Sequence, residues 1–130
     1  MDADATKTLE DLDGQRWPEP EDSTGLIDDV HRLRRVPIGD LSDGELGLLL
    51  GQQVGAERLV PRALDRLEIE PLAGDLYPGD LLGAVLRTTA DYWNSHPSEL
   101  MRLWRLREAL ESIETVASNA LADDRWPAFG

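Results

Sequence analysis

The chain has 130 residues, 41% of them hydrophobic, with 26 Asp and Glu against 13 Lys and Arg, a net charge of -13. That length supports one domain around a single core rather than two. The charge argues against nucleic acid as a direct ligand, because phosphate binding is driven by protein cations, and it suits a basic protein partner. The absence of cysteine removes disulfides, thiolate metal sites and cysteine nucleophiles, so folding needs no oxidising compartment and a cytosolic location is expected.

The acid excess is steepest before residue 31, where Asp2, Asp4, Glu10, Asp11, Asp13, Glu19, Glu21, Asp22, Asp28 and Asp29 face only Lys7 and Arg16. MDADATKTLEDL has neither a basic nor an apolar region of the kind a secretory signal needs. No apolar run approaches the ~20 residues of a membrane span. Residues 1–7 are polar and expected to fray, after which Thr8 can cap a short turn through Leu9 to Leu12. QRWPEPEDSTG, with two prolines and four charged residues, reads as an extended entry loop in which Trp17 is the group to bury.

In GLIDDVHRLRRVP, the positions Leu26, Ile27, Val30 and Leu33 fall at helical spacing and predict an inward stripe. Asp28 and Asp29 then face outward near the positive end of the helix, and Pro37 closes the element. LSDGELGLLLGQQVG places Ser42 three residues before Glu45, a capping-box spacing, and predicts a helix ended by Gly55. Gly47, Gly51 and Gly55 share a face at four-residue spacing; with Gln52 and Gln53 following, this marks close packing between two soluble helices rather than a membrane motif. AERLVPRALDRLEIEP gives the stripe Leu59, Val60, Ala63, Leu64 and Leu67, with Pro61 placed near the first turn.

EIEPLAGDLYPGDLL is a corner rather than a plain helix or loop. Gly74 supplies a turn exit, Asp75 stabilises the turn through its side chain, Pro78 starts the next helix and Asp80 lies at that helix's positive end. Inward positions follow at Leu81, Leu82, Val85 and Leu86, and Thr88 or Thr89 caps a short helix through Tyr92 and Trp93 that stops before Pro97. Leu103, Leu106, Leu110, Ile113, Ala117 and Ala120 then alternate three and four apart, predicting one helix over 97–122, roughly 25 residues or ~40 Å long. This helix packs on its own domain, with a coiled coil as the alternative. In the tail DDRWPAFG, over 123–130, Trp126 and Phe129 either pin the segment or leave it loose. Strand-like alternation is missing throughout, so the fold class is all-α, a compact single-domain bundle of about six to seven helices.

The chemistry-bearing residues are few. His31 and His96 have no triad or metal partners in sequence and read as surface or capping groups, and no HExxH, Walker loop or GxGxxG is present. Asp40, Asp43 and Glu45 do not follow the ligand order of a calcium loop. The word GDL recurs at Gly39, Gly74 and Gly79 without a matching environment, which marks turn chemistry rather than a repeat. Asp75 and Asp80 could serve as an acid–base pair, but their turn roles account for them. No cofactor or metal is expected.

The strings TLEDLDG and WPEP, LIDDVHRLRRVPI, LSDGELGLLLGQQVGAERLVPRALDRLEIEPLAGDLYPGDLLGAVLR and Trp93 resemble the immunity proteins of contact-dependent growth inhibition systems. The resemblance runs over about residues 8–97 and is densest from Gln52 to Leu86, in Q-x-V-G-x-x-x-L-V-P-x-A-L, then P-L, then G-D-x-Y-P-G-D-L-L. It implies a small cytosolic protein, not an enzyme, that binds one cognate toxin domain, often a nuclease, and occupies or covers its active surface. The patterned residues Leu59, Val60, Pro61, Ala63, Leu64, Pro78, Leu81 and Leu82 describe how such a fold is held rather than what touches the toxin. Carboxylates suit a competitor for a phosphate-binding surface, which makes Asp28, Asp29, Asp75, Tyr77 and Asp80 the toxin-binding candidates. The chain is expected to be a monomer before it binds and to engage neither nucleic acid nor membrane. The alternative class is an acidic helical adaptor using the stripe of residues 100–121.

Overall fold

The computed structural model describes residues 5–18, 24–111 and 125–128. Among them lie seven α-helices and one 3-10 turn, with no strand: α1 Leu9–Asp13, α2 Gly25–Leu33, the turn Ile38–Asp40, α3 Asp43–Gly51, α4 Ala56–Ile69, α5 Asp80–Val85, α6 Ala90–Ser95 and α7 Pro97–Leu110. The all-α expectation is met. The part of the expected 97–122 helix from 112 onward, and Phe129 in the tail, lie outside the described residues.

Local signals set the helix starts. Thr8 Oγ1 accepts from the Asp11 N–H while Asp11 returns a bond to the Thr8 N–H, a complete capping box. Ser42 and Glu45 form the same reciprocal pair at 3.1 and 2.9 Å. Thr24 caps α2, and of the two threonines near α6 it is Thr89 that caps. Pairing orphan N–H groups in this way contributes about 1 kcal/mol per cap. Ser42→Ala is therefore expected to lower stability by about 1 kcal/mol in chemical denaturation, with Ser42→Asp close to the wild type; equal midpoints for Ser42→Ala and the wild type would deny the cap this weight.

Inside, α3 is the centre. It packs against α2, α4 and α5, while α4 also meets α5 and α7, and α6 leans on α7. The core is a leucine layer of Leu46, Leu49 and Leu50 from α3, Leu59, Leu64 and Leu67 from α4, Leu81 and Leu82 from α5, and Leu103, Leu106 and Leu110 from α7. Gly47 stands over Ala84 of α5 and Gly51 over the Arg87 side chain just beyond that helix, so two of the three spaced glycines face the α5 segment closely. Gly55 does not. Because Leu100, Leu103, Leu106 and Leu110 are all buried, the α7 stripe expected of an adaptor is covered by this domain over its described length. Arg102 clamps α7 to α4 through Asp65 at 2.6 Å and Glu68 at 2.7 and 3.0 Å. The hydrogen bond from Arg102 holds the Glu68 carboxyl below the usual carboxylate range despite partial burial.

Several expectations are corrected. α3 ends at Gly51, and its exit runs through Gln53 at φ 60° before Gly55, also at positive φ, leads into α4. Pro61 lies inside α4 rather than in its first turn; it is half-buried, with Val60 and Ala63 on either side in the core. Leu26 and Ile27 are exposed, since only the later residues Val30 and Leu33 of the short α2 reach the core. α2 also stops at Leu33, before Pro37. Residues 5–7 are tied down where fraying was expected: Ile38 N–H donates to the Lys7 carbonyl and Gly39 N–H to that of Ala5. Pro97 starts α7 as well as ending the segment before it.

Aromatic groups fasten the segment after α1 and the described part of the tail. Trp17 lies under the Arg34 guanidinium, whose carbon is 4.0 Å from the ring centroid, and edge-on to His31 at 5.6 Å. Trp126 packs beside Trp104, whose indole N–H donates to the Pro127 carbonyl at 3.0 Å; the tail is pinned rather than loose at this point. No helix among the described residues is long and apolar enough to cross a membrane.

Candidate functional site

The corner between α4 and α5 is built by its own acids. The Asp80 Oδ2 accepts from the Leu76 N–H at 2.9 Å, closing the loop locally, while its buried Oδ1 rests against Gly74 without a donor. Gly79 N–H donates to the Leu72 carbonyl at 2.9 Å and Asp80 N–H to that of Tyr77 at 3.2 Å. Pro78 does not begin α5 as expected. Gly79, at φ 89°, intervenes as the residue before the helix, a left-handed conformation that glycine adopts without a Cβ penalty.

Asp75 acts elsewhere than in its own turn. Its Oδ2 accepts from the Gly44 N–H at 2.8 Å, across to the first turn of α3. With the Ser42 and Glu45 box already in place, Asp75 supplies a further partner for the open donors of that helix, and its charge lies where the helix dipole favours it. A methyl on Gly44 would meet this carboxylate at 2.6 Å. Asp43, also in the first turn of α3, pairs with Arg66 at 2.9 Å in poor alignment for a hydrogen bond, and Arg66 donates to the Leu41 carbonyl at 2.7 Å.

The corner therefore brings Asp75, Tyr77 and Asp80 together: Asp43, Glu70, Asp75 and Tyr77 line one shallow depression, and Asp80 lines the adjoining cleft with Asp43 and Tyr77. Asp28 and Asp29 lie apart on α2. Asp29 pairs with Arg32 at 3.6 Å, and Arg32 also reaches Glu45 of α3 at 3.8 Å, so one arginine links α2 to the start of α3. On its other side the corner borders a cleft of about 320 Å³ between α3 and α5. Gly44, Gly47, Gly83 and Ala84 line it together with Leu48 and Leu76, and Arg87 and Arg125 also contribute. The residue that sequence reasoning passed over is Leu76, 86% exposed beside Tyr77 at 62%. Its place in the word GDLYPGD, between two turn-forming acids, was the available signal.

Other chemical groups are engaged in structure. His96 stacks on Tyr92 with ring centroids 3.9 Å apart, and its Nδ1 lies 2.7 Å from the Tyr92 carbonyl. Burial, with Glu99 and Glu57 nearby, pushes the Tyr92 hydroxyl above its ordinary range. No group of three or more potential ligands that could hold a metal ion occurs among the described residues. The hydrogen bonds made by the Asp75 and Asp80 carboxylates go to separate backbone amides, a structural duty that neither needs the other to fulfil.

Fold and corner together define a class: a small helical body that presents one braced, acid-bearing corner. A family model of CDI immunity proteins matches residues 11–103. The chain belongs to that family, the immunity proteins that neutralise toxins of contact-dependent growth inhibition. No curated protein and no solved structure matches it.

Proposed function

We propose that the chain binds and neutralises one cognate toxin domain of a cationic, nuclease type, in the cytoplasm, as a monomer until the toxin arrives. It works by binding alone, without catalysis or cofactor, and engages neither nucleic acid nor membrane. The observation that supports this reading best is the gathering of Asp43, Glu70, Asp75 and Asp80 around Tyr77 at one rigid corner, next to α3, whose Glu45 is linked through Arg32 to Asp29 on α2. A toxin that holds phosphates with lysine and arginine presents the complementary charge, which speeds encounter and rejects mismatched partners.

Co-expression with the protein encoded immediately upstream, scored for growth, tests the immunity role. Charge is tested by association kinetics on the pairs Asp28→Asn with Asp29→Asn, and Asp75→Asn with Asp80→Asn. Asparagine removes the charge but keeps an acceptor for the Gly44 and Leu76 amides, whereas reversal to lysine would break both bonds. Each pair is expected to slow association by on the order of tenfold at low salt, with the difference fading as salt screens it. Association rates indifferent to both salt and substitution would remove the electrostatic part of the proposal.

A further inference from the structure

We infer that Leu76 and Tyr77 anchor the toxin contact, entering an apolar depression on the toxin that is rimmed by lysine or arginine. This rests on the immunity reading above and assigns that contact its central residues. Two large apolar side chains stand out at adjacent positions on the same tip, 86% and 62% exposed. Ile69, 87% exposed at the end of α4, lies with Arg62, Arg66, Glu70 and Ala73 along a neighbouring, mostly charged depression. Exposed Met101 of α7 has no exposed apolar neighbour in sequence.

Exposure alone would carry little, since single surface leucines are common. Here the tip is also braced from beneath. Asp80 holds the Leu76 amide, Asp75 ties the neighbouring backbone to α3, and the Leu72 carbonyl receives the Gly79 amide. A partner that buries such a tip has little loop entropy to overcome. On one side of the tip Asp43, Glu70 and Asp75 line the depression without a cation; on the cleft side Asp43 and Asp80 stand with Arg87 and Arg125. An apolar centre with a charged rim is the anatomy of a specific interface, and tyrosine is prominent among its energetic centres. The carboxylates on the Glu70 and Asp75 side favour a cationic toxin surface there, and the centre's chemistry requires an apolar pocket beside it.

The test uses the full chain and the toxin domain encoded upstream, with rescue and binding first established for the wild type. The double variant Leu76→Ala, Tyr77→Ala is expected to keep the wild-type melting temperature, because both side chains are solvated in the free protein. It is expected to raise Kd on the order of 100-fold, chiefly through faster dissociation, with the salt dependence of association retained. Tyr77→Phe keeps the ring and should stay near the wild type, as should Met101→Ala on α7. A wild type that binds while the double variant dissociates at the same rate overturns the anchor and leaves the immunity reading standing. A wild type that neither binds nor rescues takes down both.

Discussion

Replacing Arg34 with alanine is expected to lower the unfolding midpoint by roughly 10–15 °C, corresponding to about 3 kcal/mol for a chain of this size. Arg34 is only 1% exposed. Its guanidinium donates twice to the Gln15 carbonyl, at 3.3 and 3.2 Å, pairs with Asp13, and lies over Trp17. Four contacts thereby attach the chain between α1 and Trp17 to the end of α2. Removal leaves a cavity, an unsatisfied carbonyl and an indole without its lid. Asp13 is half exposed and can return to water, which keeps the loss toward the lower end of what breaking a buried ion pair costs. Arg34→Lys should recover only part of it, because an ammonium provides the charge without the planar fork or the stacking.

The same contact has a pH signature. Burial raises the Asp13 carboxyl, but the Gln15 amide and the Arg34 guanidinium outweigh it and hold the group below its ordinary value of 3.8. A depressed carboxylate stabilises the fold above its unfolded pKa, and that contribution is lost as pH falls through the folded value. The gap between the wild type and Arg34→Ala should therefore narrow below pH 3.8. Calorimetry across pH checks both statements. A variant melting within about 3 °C of the wild type at neutral pH, less than 1 kcal/mol, would mean that Arg34 does not hold this end together.

Gly74→Ala is expected to cost about 2–4 kcal/mol, combining overpacking with the loss of the Asp80 carboxylate as acceptor for the Leu76 amide. A methyl there would overlap the Asp80 Oδ1 and stand 2.6 Å from the Tyr77 carbonyl oxygen. Asp80 cannot swing aside and still accept from the Leu76 N–H, so the corner must open. Amide exchange at Leu76 should accelerate by more than tenfold, and toxin binding should weaken along with it, unlike in the Leu76→Ala, Tyr77→Ala variant, where binding falls and stability does not. Wild-type melting together with wild-type exchange at Leu76 in Gly74→Ala would show that the corner tolerates the methyl and is not braced as described.

Much of the helical framework was legible in advance because its signals act over one turn. The Ser42 and Glu45 box, the Thr8 cap and the leucine spacing of α4 and α7 each involve residues three or four apart. Reading α2 by the same spacing failed at Leu26 and Ile27: periodicity shows which residues share a face, but not how far along the helix a neighbour extends to cover it. Pro61 misled in a related way, since proline's preference for a first turn is a tendency that the surrounding Leu59, Val60 and Ala63 packing overrides.

The site was legible only in part. Tyr77 and the two aspartates of the corner could be picked out from GDLYPGD, but Asp75 looked like a local turn former and is instead bonded to Gly44, 31 residues away. Leu76, in the same word, was given no role. Its exposure follows from the loop closed by Asp80, which points the tip away from the body.

By itself the sequence determined an acidic, cysteine-free, all-helical chain with capped helices and leucine faces, because composition is global and capping and periodicity are local. The tertiary structure alone decided that Arg34 would be buried, that Asp75 would serve α3, and that Leu76 and Tyr77 would stand outside the core. Those outcomes depend on which helix lies against which, and a hydrogen bond or a solvent shell between residues far apart in the chain exists only once that packing has formed.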